Sequence, residues 1–128
     1  MKHTLPTDSA ARKEYPLHRG LLRYFPAALA GVARISKIGN DKHNPGQDMH
    51  HSRGKSGDHG DCILRHLIDL EEALACIDKV APERRGAACE RALDEASHIA
   101  WRALALSQEL HEKLGGAPLA PGAKMEVT

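Results

Sequence analysis

Apolar residues recur at helical spacing along two long stretches of the chain, and this pattern constrains the fold more than any other feature. In residues 56–80, at about 100° per residue, one face is formed by Ile63, Leu67, Leu70 and Leu74. Residues 82–114 carry a broader apolar arc of Leu93, Ala96, Ala100, Ala103, Leu106 and Leu110. The spacing predicts two amphipathic helices whose apolar faces form the core.

The composition also favours helices over sheet. One Phe, one Trp and two Tyr supply few large aromatic side chains, so Leu, Ile and Ala have to fill the core. Ala and Leu are strong helix formers, and β-branched residues are sparse. The 128 residues fit one domain, predicted at 16–114, between a flexible arm at 1–15 and a disordered tail at 115–128 that is rich in Pro, Gly and Ala.

Proline and glycine set the predicted boundaries of the first helix. Pro26 has the fixed φ that suits a first helical turn, so a helix is expected from there through Ser36, with Gly39 ending it. Residues 39–57 then contain four Gly, one Pro and three His, with Met49 as their one apolar residue. This composition predicts a long loop, of the kind that is functional or disordered.

The later helices are bounded by similar signals. Ser56 is the predicted N-cap of the second helix. Pro82 ends that helix or starts the next, and Gly86 can divide the last stretch into a short and a long helix. The expected fold is a small all-α bundle of three to four helices, which completes its core by forming a homodimer or homotetramer.

Charge and cysteine usage limit the classes of partner and compartment. Lys plus Arg (18) nearly balance Asp plus Glu (17), so neither a nucleic acid nor a membrane partner is expected. The sequence has no apolar run long enough to span a bilayer and no signal-peptide pattern. Cys62, Cys76 and Cys89 have no paired spacing, which favours free thiols and a cytoplasmic protein. Nine histidines are the conspicuous bias, which points either to metal or phosphate chemistry or to no function at all.

The strongest metal signal lies at the start of the second helix. Asp58 and Asp61 are one helical turn apart, so both carboxylates project from one face and can hold a divalent cation. Arg65 follows on the same face, where it can meet a phosphate. The alternative is a solvated charged stripe, because Asp69 and Glu72 continue that face.

Two further sets of polar residues are candidates. His59, Cys62 and His66 border the apolar stripe and can present three zinc ligands, although border histidines are commonly half-buried packing residues. On the last helix, Glu95 can add a carboxylate while His98 orients it or assists proton transfer. On the same helix, Arg102 lies on the polar face with Glu95 and His98, and Trp101 is expected to be a core anchor.

A basic loop precedes the second helix. Its SRGKS segment, residues 52–56, places cationic side chains beside a helix N-terminus, where free N–H groups favour an anion. It is not a P-loop, because Met49 stands where the first glycine is required. The predicted phosphate-binding residues are Lys37, Lys42, Arg53, Lys55, Ser56 and Arg65.

Three segments resemble a known family: ARKEYPLHRGLLRYFPAALAGVARISKIGNDKHNPG, RGKSGDHGDCILRHL and HIAWRALAL. They cover about residues 11–110, and KIGNDKHNPG, RGKS and LRHL are the most specific parts. The chain resembles the phage-associated, MazZ-like dATP/dGTP diphosphohydrolase N-terminal family, which is similar to MazG-type all-α NTP pyrophosphohydrolases. The resemblance implies that dGTP or dATP is hydrolysed to the monophosphate and pyrophosphate with Mg²⁺ or Mn²⁺.

The resemblance also implies site residues, with one departure. Asp58, Asp61 and Glu95 would be the catalytic, metal-holding acids, with His66 and His98 as further ligands or supports. MazG-type enzymes carry an ExxE-like cluster on one helix and ExxD on the next, and the two aspartates match the second element by spacing. The first element is missing, because residues 26–38 contain no acid and glycine occupies position 31, where one is expected.

Several explanations of that departure stay open. Glu95 and the histidines can substitute for the missing acids, or a neighbouring subunit can contribute them. The chain can also be a non-catalytic nucleotide-binding or host-interaction module of a phage. An HD-type dNTP phosphohydrolase is a weaker alternative, because the sequence contains no His-Asp dipeptide and Asp58-His59 has the reverse order.

Overall fold

Three long helices form the body of the protein, and the predicted all-α bundle is confirmed. The computed structural model describes residues 1–125. In chain order it contains α1 (Ser9–Arg12), a π-helical turn (His18–Leu22), α2 (Pro26–His43), β1 (His51–Arg53), α3 (His59–Ile77), a 3₁₀ turn (Pro82–Arg84), α4 (Arg85–Lys113) and β2 (Ala123–Met125). Helix α4 packs against both α2 and α3. None of these helices combines the length and hydropathy that a membrane-spanning segment requires.

Helix α2 starts at the predicted proline but runs past its predicted end. Gly39 does not stop it, and the helix continues to His43. The Asn44 N–H donates to the Asn40 carbonyl at 2.7 Å and closes the last turn. The buried Asn40 side chain then bonds to the following loop, so packing and hydrogen bonds outweigh the helix-breaking tendency of one glycine.

The starts of the other two helices also differ from prediction. Asp58, and not Ser56, occupies the N-cap position of α3. The Ser56 hydroxyl instead donates to the Asp58 carboxylate at 2.7 Å. Gly86 does not divide the last stretch, because it lies in the first turn of an unbroken α4. Pro82 begins the short 3₁₀ turn that leads directly into that helix.

The face of α3 that packs inward is rotated from the predicted apolar stripe, of which Ile63 and Leu70 are partly buried. Leu67 and Leu74 are 41% and 49% exposed, so the prediction that they form the core is wrong. The buried residues of α3 are His59, Cys62 and Ala73, which are centred about 90° around the helix from the predicted stripe. The side that carries His59 and His66 therefore faces α4, and Leu64, Leu67 and Leu74 face outward.

Helix α4 is oriented in the same way. Leu93 and Leu110 of its predicted core arc are exposed, whereas Ala92 and Ala105 are buried. Between these two alanines, Glu95 and other polar residues of the inward side are only partly exposed. Helices α3 and α4 thus meet through faces that bring ionisable side chains together.

Helices α2 and α4 approach closely at Gly31. A Cβ atom at this position would lie 2.5 Å from the Ser97 hydroxyl oxygen of α4. Nearby, the Trp101 indole N–H donates to the Ser36 hydroxyl at 2.8 Å. An acidic side chain at position 31 would collide with α4, so the missing acid of the sequence pattern matches the close packing of these two helices.

A short parallel sheet joins the two segments for which the sequence predicts a long loop and a disordered tail. His51 pairs with Ala123 and Arg53 with Met125. The tail is anchored further by the Ala120 N–H, which donates to the Glu112 carboxylate at 3.0 Å. The last part of the predicted tail, residues 126–128, lies outside the described residues. Within the predicted arm, α1 forms with Asp8 as its N-cap.

Candidate functional site

A cleft of about 960 Å³ opens between α2, α4 and the segment that connects α2 to α3. Ile35 and Asn40 line it from α2, and Trp101 and Ala105 line it from α4. Gly122, in the segment before β2, also contributes to its wall. A cleft of this volume has room for a ligand of nucleotide size.

Asn40 fixes the loop that forms one wall of the cleft. Its amide nitrogen donates to the Gln47 carbonyl at 3.1 Å. Its amide oxygen accepts from the Asn44 side chain at 3.2 Å and from the His50 backbone N–H at 3.4 Å. One buried amide therefore organises residues 44–50, which explains why this segment has a defined shape without regular secondary structure.

The lining of the cleft is cationic. Within the described residues, its ionisable side chains include no carboxylate and are Lys42, His43, His50, His51, Arg53, Lys55, His98 and Arg102. Lys42 and Lys55 are exposed and belong to no ion pair of the described chain. Such a lining favours an anionic ligand.

Two imidazoles of the cleft have lowered pKa values. Burial lowers the pKa of His51, and the neighbouring Arg53 guanidinium lowers it further. Burial also lowers the pKa of His98, followed by the effect of His66. Both rings are therefore neutral near pH 7, and each retains a nitrogen lone pair that can accept a proton.

Trp101 provides a flat apolar surface on the wall of the cleft. The His51 ring meets it edge to face, with ring centroids 5.0 Å apart. The Arg102 guanidinium carbon lies 5.6 Å from the centre of the indole ring. Trp101 anchors α4 to α2 through Ser36, as expected of a core residue, but the sequence did not reveal that it also lines the cleft.

Arg102 is held at the cleft by a buried network. One of its terminal nitrogens donates to the Ser56 hydroxyl at 2.9 Å and lies 3.3 Å from His59 Nδ1. His59 Nε2 lies 2.5 Å from a Glu109 carboxylate oxygen. Because arginine can only donate, His59 accepts at Nδ1 and donates from Nε2, which fixes its tautomer. Arg102 is thus a cation held in position at the cleft. The sequence predicted only that it lies on the polar face of its helix.

Arg53 also lines the cleft, but its charge is already paired. It makes two hydrogen bonds to Glu112, at 2.7 Å and 2.9 Å. The two side chains are 8% and 11% exposed. The hydrogen bond from Arg53 is the main reason that the pKa of Glu112 falls to about 2. Arg53, which also contacts His51, therefore fixes β1 against α4, and its pairing with Glu112 leaves it less charge for a phosphate than the free lysines of the cleft have.

A cluster of possible metal ligands lies beside the cleft. His66 and Asp69 of α3 and Glu95 of α4 each offer an atom within 4.8 Å of the others. His66 Nδ1 is 2.6 Å from a Glu95 carboxylate oxygen. The His98 ring stacks on His66, with centroids 4.6 Å apart. Because His98 also lines the cleft and the three cluster residues do not, the His66–Asp69–Glu95 cluster lies one side chain away from the cleft.

The donor set of this cluster fits a divalent cation. It offers one imidazole nitrogen and up to two carboxylate oxygens, and all three side chains are partly buried. Mn²⁺ accepts such mixed nitrogen and oxygen ligands, whereas Mg²⁺ prefers oxygen alone. Three protein ligands also leave coordination positions for phosphate or water.

The two aspartates predicted as metal ligands lie outside this cluster. Asp58 accepts hydrogen bonds from Ser56 and, at 3.3 Å, from Arg65. The Ser56 hydroxyl is the largest cause that lowers the pKa of Asp58 to about 2, followed by Cys62 and Arg65. Asp61 is exposed. The structure thus brings three of the five predicted ligands together, and it adds Asp69, which the sequence analysis had assigned to a solvated stripe.

Some of the predicted phosphate-binding residues line the cleft, and others lie outside it. Lys42, Lys55 and Ser56 line the cleft. Lys37 forms an exposed ion pair with Asp41, and Arg65 forms one with Asp58. Neither Lys37 nor Arg65 lines the cleft.

The three predicted zinc ligands have separate partners. His59 is bonded to Glu109, and His66 to Glu95. Cys62 Sγ accepts from Arg65 at 3.0 Å. In the described chain these three side chains do not form a common group of ligand atoms, so the structure gives the zinc alternative no support.

The chain was compared with protein-family models, with curated proteins and with solved structures, and none of them matches it. What the site does therefore has to be inferred from its own side chains.

Proposed function

We propose that the protein hydrolyses a nucleoside triphosphate with the help of Mg²⁺ or Mn²⁺. One observation carries this proposal: a cationic cleft, whose lining among the described residues includes no carboxylate, is separated from the His66–Asp69–Glu95 cluster by one side chain, His98, which lines the cleft and stacks on His66. A triphosphate needs cationic partners, while the metal ion that accompanies it needs carboxylates. The two requirements are met on adjacent surfaces.

The lining of the cleft supports a nucleotide as the ligand. A base can stack on the Trp101 ring, which presents a flat apolar surface. Lys42, Lys55 and Arg102 supply positive charge for the phosphates. The resemblance described above indicates dGTP and dATP as the substrates. The three cysteines are free thiols, and we place the activity in the reducing cytoplasm.

The proposed reaction is the attack of water on the α-phosphorus. The oxygen of water bonds to that phosphorus, and the bond between this phosphorus and the oxygen that bridges to the β-phosphorus breaks. Pyrophosphate departs as the leaving group, and a nucleoside monophosphate remains. His66, Asp69 and Glu95 would hold the ion, which supplies charge neutralisation and a more acidic bound water. His98, with its lowered pKa, is a neutral base that can accept the proton of the attacking water.

A nucleotide-binding protein without hydrolysis is the second candidate. Two observations favour it: Arg53 is neutralised by Glu112, and the close contact at Gly31 leaves no room for an acid from α2. Among the described residues the cluster then offers three ligands, one of them a histidine. This protein would still bind a nucleotide in the cleft but would release no pyrophosphate.

A panel of dNTPs and NTPs, incubated with Mg²⁺ or Mn²⁺, separates the two candidates by product analysis. The proposal expects monophosphate and pyrophosphate from dGTP or dATP. Glu95→Gln should lower turnover by roughly tenfold or more, because it removes a ligand charge. Glu90→Gln is the matched control, since Glu90 is exposed on the same helix, and it should keep full activity.

Nucleotide binding is followed separately in the same samples. Trp101 is the only tryptophan and lines the cleft, so its fluorescence should change when a nucleotide binds. A fluorescence change together with intact nucleotide under both metals would establish the non-catalytic alternative. No change and no turnover with any nucleotide would exclude both candidates.

A further inference from the structure

The protein exposes more surface than a folded chain of its size should. A 13.9 kDa monomer is expected to expose about 6,700 Å², whereas this chain exposes 9526 Å². The excess, roughly 2,900 Å², is comparable to what one chain buries in a large obligate interface. Among the described residues no large side chain is fully buried. Such an excess favours a chain that buries further surface against a partner.

Part of this surface is the outward side of α3. Its exposed apolar side chains are Leu64, Leu67, Ile68 and Leu74. They recur at helical spacing and form one stripe, with the exposed Glu71 in its middle and Glu72 beside it. Helix α3 as a whole carries four carboxylates and one arginine. The outward stripe of α3 is thus apolar and set in an acidic surface.

A second exposed apolar surface lies in residues 12–25, which we call the aromatic segment. Its exposed side chains are Tyr15, Leu17, Leu21, Leu22, Tyr24 and Phe25. The backbone hydrogen bonds that it makes outside regular elements all have their partners within residues 8–29. In the described chain it makes no side-chain hydrogen bond to α3 or α4. The aromatic segment is therefore not part of the core of its own subunit.

The two surfaces complement each other in charge. The aromatic segment carries four Lys and Arg side chains and one carboxylate, the reverse of α3. When the apolar side chains of the segment lie on the stripe, its cationic side chains can lie beside Glu71 and Glu72.

We propose that a second copy of this chain covers the outward stripe of α3, and that the aromatic segment of that copy forms the contact. In a symmetric pair, each copy gives its segment and receives the other, so both exposed surfaces are buried at once. This proposal does not depend on the function of the cleft, because neither surface lines it.

Charge reversal on the full-length protein tests the contact by sedimentation. Arg19→Glu with Arg23→Glu alters the segment, and Glu71→Arg with Glu72→Arg alters the stripe. All four side chains are exposed and outside the ion pairs of the described chain. Each double variant should weaken self-association by roughly tenfold or more, because like charges then face each other.

The mixture of the two variants is the decisive sample. In a mixed pair, each reversed surface meets the other reversed surface and each native surface meets a native one, so association should return. Lys113→Glu with Lys124→Glu makes the same charge change as the segment variant at exposed positions elsewhere and should associate like the native chain. A native chain that stays monomeric, a segment variant that associates normally, or a mixture that stays dissociated would each overturn the proposal. Circular dichroism confirms that every variant is folded.

Discussion

A single missing side chain, that of Gly31, allows α2 to lie close to α4. A methyl group at this position would lie 2.5 Å from Ser97 Oγ and 3.4 Å from Ser97 Cβ. Gly39, on the same helix, has no atom within 4 Å of its virtual Cβ. The two glycines therefore have the same intrinsic helix propensity and opposite packing environments.

Alanine substitution at these two glycines should change stability in different directions. Gly39→Ala should raise the free energy of unfolding by about 0.5–1 kcal/mol, through helix propensity alone. Gly31→Ala gains the same propensity but has to displace Ser97, at a cost of about 1–3 kcal/mol. Denaturant unfolding of the two variants measures the difference. If Gly31→Ala is as stable as Gly39→Ala, the close packing of α2 on α4 is refuted.

Sequence reasoning at the residue scale found part of the candidate site. Glu95, His66 and His98 were selected, and the structure brings them together. Asp69 was missed, although it lies one turn after His66, because helical spacing shows which residues share a face and not which helix they meet. Asp58 was selected by the same spacing, but local hydrogen bonds at the N-cap occupy its carboxylate.

At the scale of secondary-structure elements, the sequence predicted where α2, α3 and α4 lie but not how they are rotated. Periodicity identifies an apolar face, and the usual expectation is that this face turns inward. In α3 the side with His59 and Ala73 turns inward instead, and Leu67 faces out. Likewise, strands of three residues each give no periodic signal, so β1 and β2 could not be predicted.

The pairing of β1 and β2 depends on the buried Arg53–Glu112 ion pair. Glu112 bonds to Arg53 of β1 and to the Ala120 backbone of the segment before β2. Glu112→Gln removes the charge and leaves the guanidinium without a counter-ion. We expect the free energy of unfolding at neutral pH to fall by about 3 kcal/mol, because one member of a buried pair is lost.

The same pair predicts how stability depends on pH. The pKa of Glu112 is about 2 in the folded protein and 4.5 ordinarily. Its contribution is therefore fully present above about pH 5 and is lost as the pH falls towards about 2. Between those values the native protein should lose more stability than Glu112→Gln, so their denaturation midpoints converge. Glu90→Gln, at an exposed position, should follow the native curve; a Glu112→Gln curve parallel to the native one would contradict the pairing.

At the scale of the whole molecule, the inward polar faces and the outward leucines have two separate consequences. The inward faces assemble the His66–Asp69–Glu95 cluster next to the cationic cleft. The outward leucines leave a surface that a second copy can cover. Composition and periodicity were enough to predict one helical domain. They could not predict which side of each helix turns inward, because that depends on which polar groups the fold stabilises by mutual contact.

Manganese binding, followed by electron paramagnetic resonance, tests the central claim most directly. The claim is that His66, Asp69 and Glu95, and not the acids at the start of α3, hold the ion beside the cleft. Asp69→Asn and Asp61→Asn remove the same charge from the same helix, and Asp61 lies outside the cluster. We predict that Asp69→Asn weakens Mn²⁺ binding by roughly tenfold or more, while Asp61→Asn binds like the native protein. Normal binding by Asp69→Asn, or loss of binding in Asp61→Asn, would contradict the account.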